Sequence, residues 1–152
     1  MLKTIVEKKR YCFHESFDTW QDAIKAACQP LLDDNTIENE YVEAIIKCVS
    51  DNGPYIVIAP NIAMPHSTLG HSGVNDNAIS FMKVEKPVVF DENDREKDAQ
   101  IFFTLAAVDN DSHLQNMMQL AEMLMDENIC TELATVKNEN DLLAIQEKYL
   151  NK

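Results

Sequence analysis

The chain has 152 residues, of which 45% are hydrophobic, and its formal net charge is −13 at pH 7. This length predicts a single domain over residues 1–152, large enough to bury a substantial core. The acidity argues against nucleic acid as a partner, because phosphate contacts require clustered Lys and Arg.

The N-terminal segment predicts where the protein is located, and the cysteine spacing bears on the kinds of site it can hold. The segment MLKTIVEKKRYCF has no long apolar run followed by a small-residue cleavage site, so we expect no signal peptide and a cytoplasmic location. No apolar run approaches the roughly 20 residues of a membrane span. The four cysteines are widely spaced without a C-x-x-C pair, which argues against a zinc ribbon or a thioredoxin-like site and predicts buried free thiols.

Two helices are predicted in the first third of the chain. Asp18 or Thr19 can cap a helix with an apolar face, and Pro30 is expected to end it. A second helix is predicted from residues 36–40 to the stop signal Asp51–Gly53. His14 lies before both, in a strand-like stretch, and is interpreted as structural.

The most informative part of the sequence is the stretch DNGPYIVIAPNIAMPHS, Asp51–Ser67. Its β-branched run predicts a strand over Tyr55–Ala59 that is buried on both faces. Pro65 has a fixed φ and biases Met64 toward extended geometry, so the backbone before His66 has few conformations. Such stiffness suits a histidine that presents one ring nitrogen to a reaction partner.

The remaining elements alternate between strands and helices. A polar loop containing His71 leads to a strand at Ala78–Val84, a turn at Lys86 and Pro87, and a buried strand at Gln100–Val108. No element spacing fixes His71 toward His66, so we do not expect it in the site. Methionines of the next helix are expected mainly in the core. Helices at Glu127–Val136 and Glu139–Leu150 complete an α/β chain.

A second candidate site residue follows the buried strand. Asp111 or Ser112 is predicted to cap a helix, which puts His113 in its first turn. A helix N-terminus offers free N–H groups and a positive dipole end, which suit a phosphoryl group. A histidine that only packs at a helix start is the other interpretation. Imidazole itself can attack phosphorus through nitrogen and form a reversible N–P bond.

These motifs resemble a known family. Asp51, Ile58, Ala59, Ile62 to Met64 and the Pro65-His66 pair are similar to the signature of fructose/mannitol-type EIIA domains of the bacterial phosphoenolpyruvate-dependent sugar phosphotransferase system. GPYIVIAPNIAMPH, with KPVVF and TLAAVDNDSH downstream, is most similar to the ascorbate-specific branch. The likeness extends from about Thr19 to the C-terminus.

The resemblance implies a fold and a function. The implied fold is a mixed central β-sheet flanked by helices. The implied activity is phosphotransferase: His66 accepts a phosphoryl group from the phosphocarrier HPr, His113 stabilises it, and a cysteine of a cognate EIIB receives it. A membrane EIIC then imports the sugar, implied to be L-ascorbate. We expect no cofactor and no metal, since phosphoryl transfer to a histidine requires neither.

This chain departs from the family pattern at two positions expected near the phosphoryl group. Ser67 stands where the family usually has a small apolar residue or glycine, which places an extra hydroxyl near the phosphate. Many relatives have an arginine in the helix before the signature, but this chain has only Arg10 and Arg95, both elsewhere. Lys47 lacks the bidentate geometry of arginine. We therefore expect His113 and backbone amides to hold the phosphoryl oxygens.

Two alternatives remain at this stage. The domain could be an EIIA-like regulatory module whose phosphorylation on His66 controls a binding partner. Alternatively, His66, His71 and His113 could bind zinc for hydrolysis, although the chain has no H-x-x-x-H or H-E-x-x-H motif.

Overall fold

The structure, a computed structural model, describes residues 1–151 and contains a five-stranded mixed sheet in the order β1-β4-β5-β3-β2. The strands are β1 Tyr11–His14, β2 Val57–Ala59, β3 Asn61–Ala63, β4 Ala78–Val88 and β5 Ala99–Ala106. The helices are α1 Leu2–Glu7, α2 Trp20–Asp33, α3 Asn39–Asn52, α4 Asn110–Leu124, α5 Glu127–Leu133 and α6 Glu139–Ile145. A 3-10 turn covers Arg95–Lys97 and a π-helical turn covers Gln146–Leu150.

The sheet separates two hydrophobic clusters. β4 and β5 pair antiparallel at the centre, with Phe81 opposite Phe103 and Met82 opposite Phe102. Alternation along β5 sends Phe102 into the cluster with α2 and α3, and Phe103 into the cluster with α1, α4, α5 and α6. The predicted mixed sheet flanked by helices is therefore confirmed. No helix within residues 1–151 is long and apolar enough to cross a membrane.

The first long helix does not end where the sequence predicted. Thr19 caps α2 as expected, with its side chain accepting a hydrogen bond from the Asp22 amide. Pro30 does not end the helix, which continues to Asp33. A proline inside a helix leaves the carbonyl four residues earlier without its amide partner. That carbonyl, on Ala26, accepts a hydrogen bond from the Cys12 thiol at 3.5 Å, so the cost of the proline is partly offset.

The strand before His66 is shorter than predicted, and its burial differs. Tyr55 and Ile56 belong to a turn in which the Val57 amide donates to Pro54, and only Val57–Ala59 forms β2. β2 lies at the sheet edge, and Ile58 is 41% exposed. The prediction of burial on both faces was wrong because apolar composition alone does not reveal which strand is at an edge.

Lys86 and Pro87 do not form the predicted turn. Both lie inside β4, which continues to Val88, and the pairing with β5 shifts in register between Lys83 and Val88. The Lys86 amide donates to the Glu15 carbonyl at 2.9 Å, outside the β4–β5 ladder. Proline is tolerated here because the shifted register requires no amide donor from it.

The N-terminal cap of α4 is Asp109, not Asp111 or Ser112, and its carboxylate accepts from the Ser112 amide. The methionines of and beyond α4 are less buried than predicted. Met123 is buried, but Met118 is 62% and Met125 is 82% exposed. The expectation that most of them fill the core was therefore wrong.

Candidate functional site

The backbone before His66 is tied to the centre of the sheet. β3 pairs parallel with β5, and the Leu105 amide donates to the Pro65 carbonyl at 3.0 Å, which continues that pairing by one bond. The Met64 amide donates to the Ile56 carbonyl at 2.7 Å on the other side. The two bonds place His66 at the end of a short strand whose direction is fixed.

The His66 ring has a defined tautomer. Its Nδ1 lies 2.6 Å from the carbonyl oxygen of Met64. A carbonyl oxygen can only accept, so Nδ1 carries the proton and Nε2 of the neutral ring has the free lone pair. The side chain is largely buried, with 9% of its surface exposed. The arrangement leaves Nε2 as the nitrogen available for chemistry.

Two tyrosines, not identified from the sequence, hold the backbone around His66. The Tyr55 ring meets the His66 ring edge-on at 5.2 Å, and its hydroxyl donates to the His66 carbonyl. The Tyr41 hydroxyl donates to the Leu105 carbonyl at 2.6 Å. Both residues lie in segments whose apolar pattern predicts core packing, and this pattern does not reveal that a phenol donates a hydrogen bond.

The Ser67 hydroxyl is engaged within its own loop. It accepts a hydrogen bond from the Leu69 amide at 3.0 Å and lies 3.8 Å from the Cys48 sulfur. The Thr68 hydroxyl donates to the same sulfur at 3.5 Å. These contacts anchor the loop to α3.

His113 lies next to His66. The centroids of the two rings are 5.3 Å apart, with 39° between the ring planes. The main-chain amide of His113 donates to the Asp109 carbonyl at 3.1 Å, so His113 has already entered the helical bonding pattern. The two histidines singled out in the sequence, 47 residues apart, thus form one site.

The structure also brings His71 to this site, against the expectation from sequence. Its ring centroid is 6.3 Å from that of His113, and its Nε2 is 2.8 Å from Oδ1 of Asn110 at the start of α4. This contact could not be predicted, because a loop has no periodicity from which the direction of its side chains can be inferred.

Side-chain and backbone hydrogen bonds hold the loop that carries His71. The Ser72 hydroxyl donates to Glu40 at 2.6 Å, and the Glu38 amide donates to the Gly73 carbonyl at 2.8 Å. Gly73 has φ +83°, and a Cβ there would lie 2.8 Å from the Tyr41 nitrogen. Only glycine permits this close approach of the loop to α3.

The three cations considered in the sequence analysis have other partners. The Arg10 guanidinium binds Asp34 at 3.0 Å, the Arg95 guanidinium binds Asp98, and the Lys47 ammonium binds Asp51. Within residues 1–151, no Lys or Arg is among the groups that alter the pKa of His66 or His113. We also find no group of three or more His, Cys, Asp or Glu side chains in the described part of the chain that could hold a metal ion.

Both site histidines favour the neutral form. Burial lowers the pKa of His66, although the Met64 carbonyl raises it in part. Burial also lowers the pKa of His113, and the neighbouring His66 and His71 rings lower it further. A neutral imidazole is the nucleophilic form, so the environment maintains the reactive state at neutral pH.

These pKa shifts predict a pH dependence of folding stability. An unfolded histidine, with a pKa of 6.5, takes up a proton that folded His66 and His113 resist. The unfolded state then binds more protons, so the free energy of unfolding should decrease as the pH falls from about 7 to about 5. Urea unfolding at several pH values measures this slope. A His66→Gln, His113→Gln double variant should show a smaller slope, and an unchanged slope would contradict the assignment.

Comparison with known proteins gives the class and then the family. The family model described as "Phosphoenolpyruvate-dependent sugar phosphotransferase system, EIIA 2" matches residues 4–149. A fold and paired histidines of this kind, together with that match, define a component of a sugar phosphotransferase system. More particularly, the chain belongs to the EIIA 2 family, as its sequence motifs predicted.

Individual relatives agree with this family. The chain is 32% identical over 141 residues to the ascorbate-specific PTS system EIIA component of Escherichia coli K12, covering 92% of this chain and 90% of the relative. It is 36% identical over 126 residues to the mannitol-specific cryptic phosphotransferase enzyme IIA component of the same organism, covering 83% and 84%. A crystal structure of a putative PTS IIA domain from Streptococcus pyogenes M1 GAS matches with TM-score 0.85 and 29% identity, covering 100% and 97%.

Proposed function

We propose that this EIIA component of sugar uptake carries a phosphoryl group on Nε2 of His66. The observation that carries the proposal is the hydrogen bond between His66 Nδ1 and the Met64 carbonyl, which leaves Nε2 as the lone-pair nitrogen beside His113. The paired rings support a phosphoryl-accepting site, and the similarity to sugar-specific EIIA components supports a carrier function over a regulatory module.

The proposed transfer proceeds in line at phosphorus. The Nε2 lone pair of His66 forms a new N–P bond while the N–P bond of the donor phosphohistidine breaks, and the donor nitrogen keeps the electron pair. The proton stays on Nδ1, hydrogen-bonded to the Met64 carbonyl throughout, so the ring needs no reorientation. The second transfer reverses the roles, with a cysteine thiolate of the acceptor attacking phosphorus and His66 Nε2 as the leaving group.

His113 is proposed to stabilise the phosphoryl oxygens. Phosphoryl transfer has a loose transition state with charge on the equatorial oxygens, so a positioned donor lowers the barrier. A ring centroid 5.3 Å from that of His66 is close enough for an imidazole N–H to reach a phosphoryl group on Nε2. The N-terminus of α4, three residues before His113, supplies the positive end of a helix dipole.

The partners and the sugar follow from the family and from named relatives. We propose phosphorylated HPr as the donor and a cysteine of a cognate EIIB as the acceptor. A membrane EIIC, which imports the sugar, is proposed as an indirect partner. L-Ascorbate is the proposed sugar, because relatives of that specificity match 92% of the chain. The exposed apolar side chains Leu114 and Met118, on the helix of His113, fit a surface that contacts other proteins.

A two-stage labelling experiment tests this function. The purified protein, incubated with phosphorylated HPr, is expected to become an acid-labile phosphoprotein. Subsequent addition of the cognate EIIB should discharge the label onto EIIB. Absence of labelling by HPr would overturn the carrier assignment, whereas labelling without discharge to the ascorbate-type EIIB would overturn the sugar assignment alone.

A further inference from the structure

The site contains a third imidazole for which the proposed function has no role. His71 donates through Nε2 to Asn110 Oδ1 at 2.8 Å, because an amide oxygen can only accept. Its Nδ1 is then the nitrogen with the free lone pair. Protonation there keeps the bond to Asn110, so the charge of His71 can change without any movement of the ring.

The charge balance of the site indicates a use for this ring. A phosphoryl group on His66 adds about two negative charges, and Arg10, Arg95 and Lys47 are paired with carboxylates elsewhere. The whole chain is strongly acidic, at −13. The groups next to His66 that can supply positive charge include the neighbouring imidazole rings and the N-terminus of α4.

The other charged groups around His71 do not replace it. Asp109, on the cap of α4, is close enough for His71 to help lower its carboxyl pKa, after the hydrogen bonds from Ser112. Glu40 of α3 binds the neighbouring Ser72 hydroxyl, and Asp111 lies one residue beyond Asn110. All three are anionic. The His113 ring lies next to His71, and the His66 ring lies on the other side of His113. A positive charge on His71 would therefore lie near carboxylates and close to the proposed phosphoryl site.

We propose that His71, oriented by Asn110, is a positioning residue that supplies a proton-dependent positive charge beside His113 and so stabilises the phosphorylated form. This inference rests on the proposed function of His66. Proton uptake by His71 when the phosphoryl group arrives would make the phosphorylation equilibrium pH-dependent, because histidine changes charge in the physiological range.

The test is the pH dependence of the phosphoryl-exchange equilibrium between HPr and this protein. For His71→Gln we expect the equilibrium constant for phosphorylation to fall about fivefold near pH 6 and by less than about twofold near pH 9. The reason is that the proposed positive charge on His71 exists only at the lower pH, so the substitution removes it only there. A merely structural role of His71 would shift the constant by the same factor at every pH.

Two further variants complete the design. His14→Gln removes an exposed histidine on β1, outside the three-ring cluster, and should match wild type at all pH values. Asn110→Ala, which frees the His71 ring, should reproduce part of the loss at low pH. If wild type is phosphorylated but His71→Gln follows its pH profile, this inference fails while the carrier function stands. If wild type is not phosphorylated by HPr, the carrier function itself fails.

Discussion

Replacing His66 with glutamine is expected to abolish phosphorylation by HPr completely. The reason is chemical, since the glutamine amide has no lone pair on nitrogen that can attack phosphorus. We do not expect His113 to accept the phosphoryl group instead, because its ring, among the described residues, has no carbonyl contact like the one that fixes the tautomer of His66. Mass spectrometry of the intact protein measures the result as the fraction carrying one phosphoryl group.

The control for this variant must show that the fold persists. Circular dichroism and urea unfolding should give a folded His66→Gln protein, because glutamine is polar and of similar size. His14→Gln, at an exposed position, should be phosphorylated like wild type. Full labelling of a folded His66→Gln protein would show that another residue accepts the phosphoryl group.

The second large effect is expected at His113. His113→Ala removes the imidazole that lies 5.3 Å from His66, and the rate of phosphoryl transfer should fall about 100-fold, the usual effect of losing one donor to transition-state charge. Rapid-quench measurement of transfer from phosphorylated HPr gives this rate. Labelling should still reach His66, only slowly, because the nucleophile remains.

A matched variant on the same helix separates this effect from changes in α4. Leu114→Ala alters the next residue, which is 57% exposed, and leaves both rings in place. Its transfer rate at saturating HPr should stay close to wild type even if HPr binds more weakly. A His113→Ala protein with the wild-type rate would show that His113 does not contact the transferring group.

The sequence predicted the parts of this site that depend on local motifs. The Pro65-His66 pair, the two flanking helices and the strand-to-helix junction at His113 were all identified from residue patterns. The α/β class followed from the alternation of predicted strands and helices, and the mixed sheet was implied by the family resemblance. These features depend on proline geometry, capping and apolar periodicity, which act over a few residues.

Contacts that join distant segments could not be predicted. His71 reaches Asn110 across 39 positions, and Tyr41 reaches Leu105 across 64. α2 continues past Pro30, and a cysteine on another element offsets part of the cost by donating to the freed carbonyl. Each contact depends on the tertiary arrangement, so single-residue preferences carry no information about it.

The most direct test of the account concerns which ring nitrogen carries phosphorus. The bond from His66 Nδ1 to the Met64 carbonyl requires Nε2 to be the phosphorylated atom, with the Nδ1 proton retained. Heteronuclear NMR of the imidazole nitrogens in the phosphorylated protein distinguishes the two. We expect phosphorus on Nε2 of residue 66 and a protected Nδ1–H. Phosphorus on Nδ1, or on any other side chain, would contradict the account.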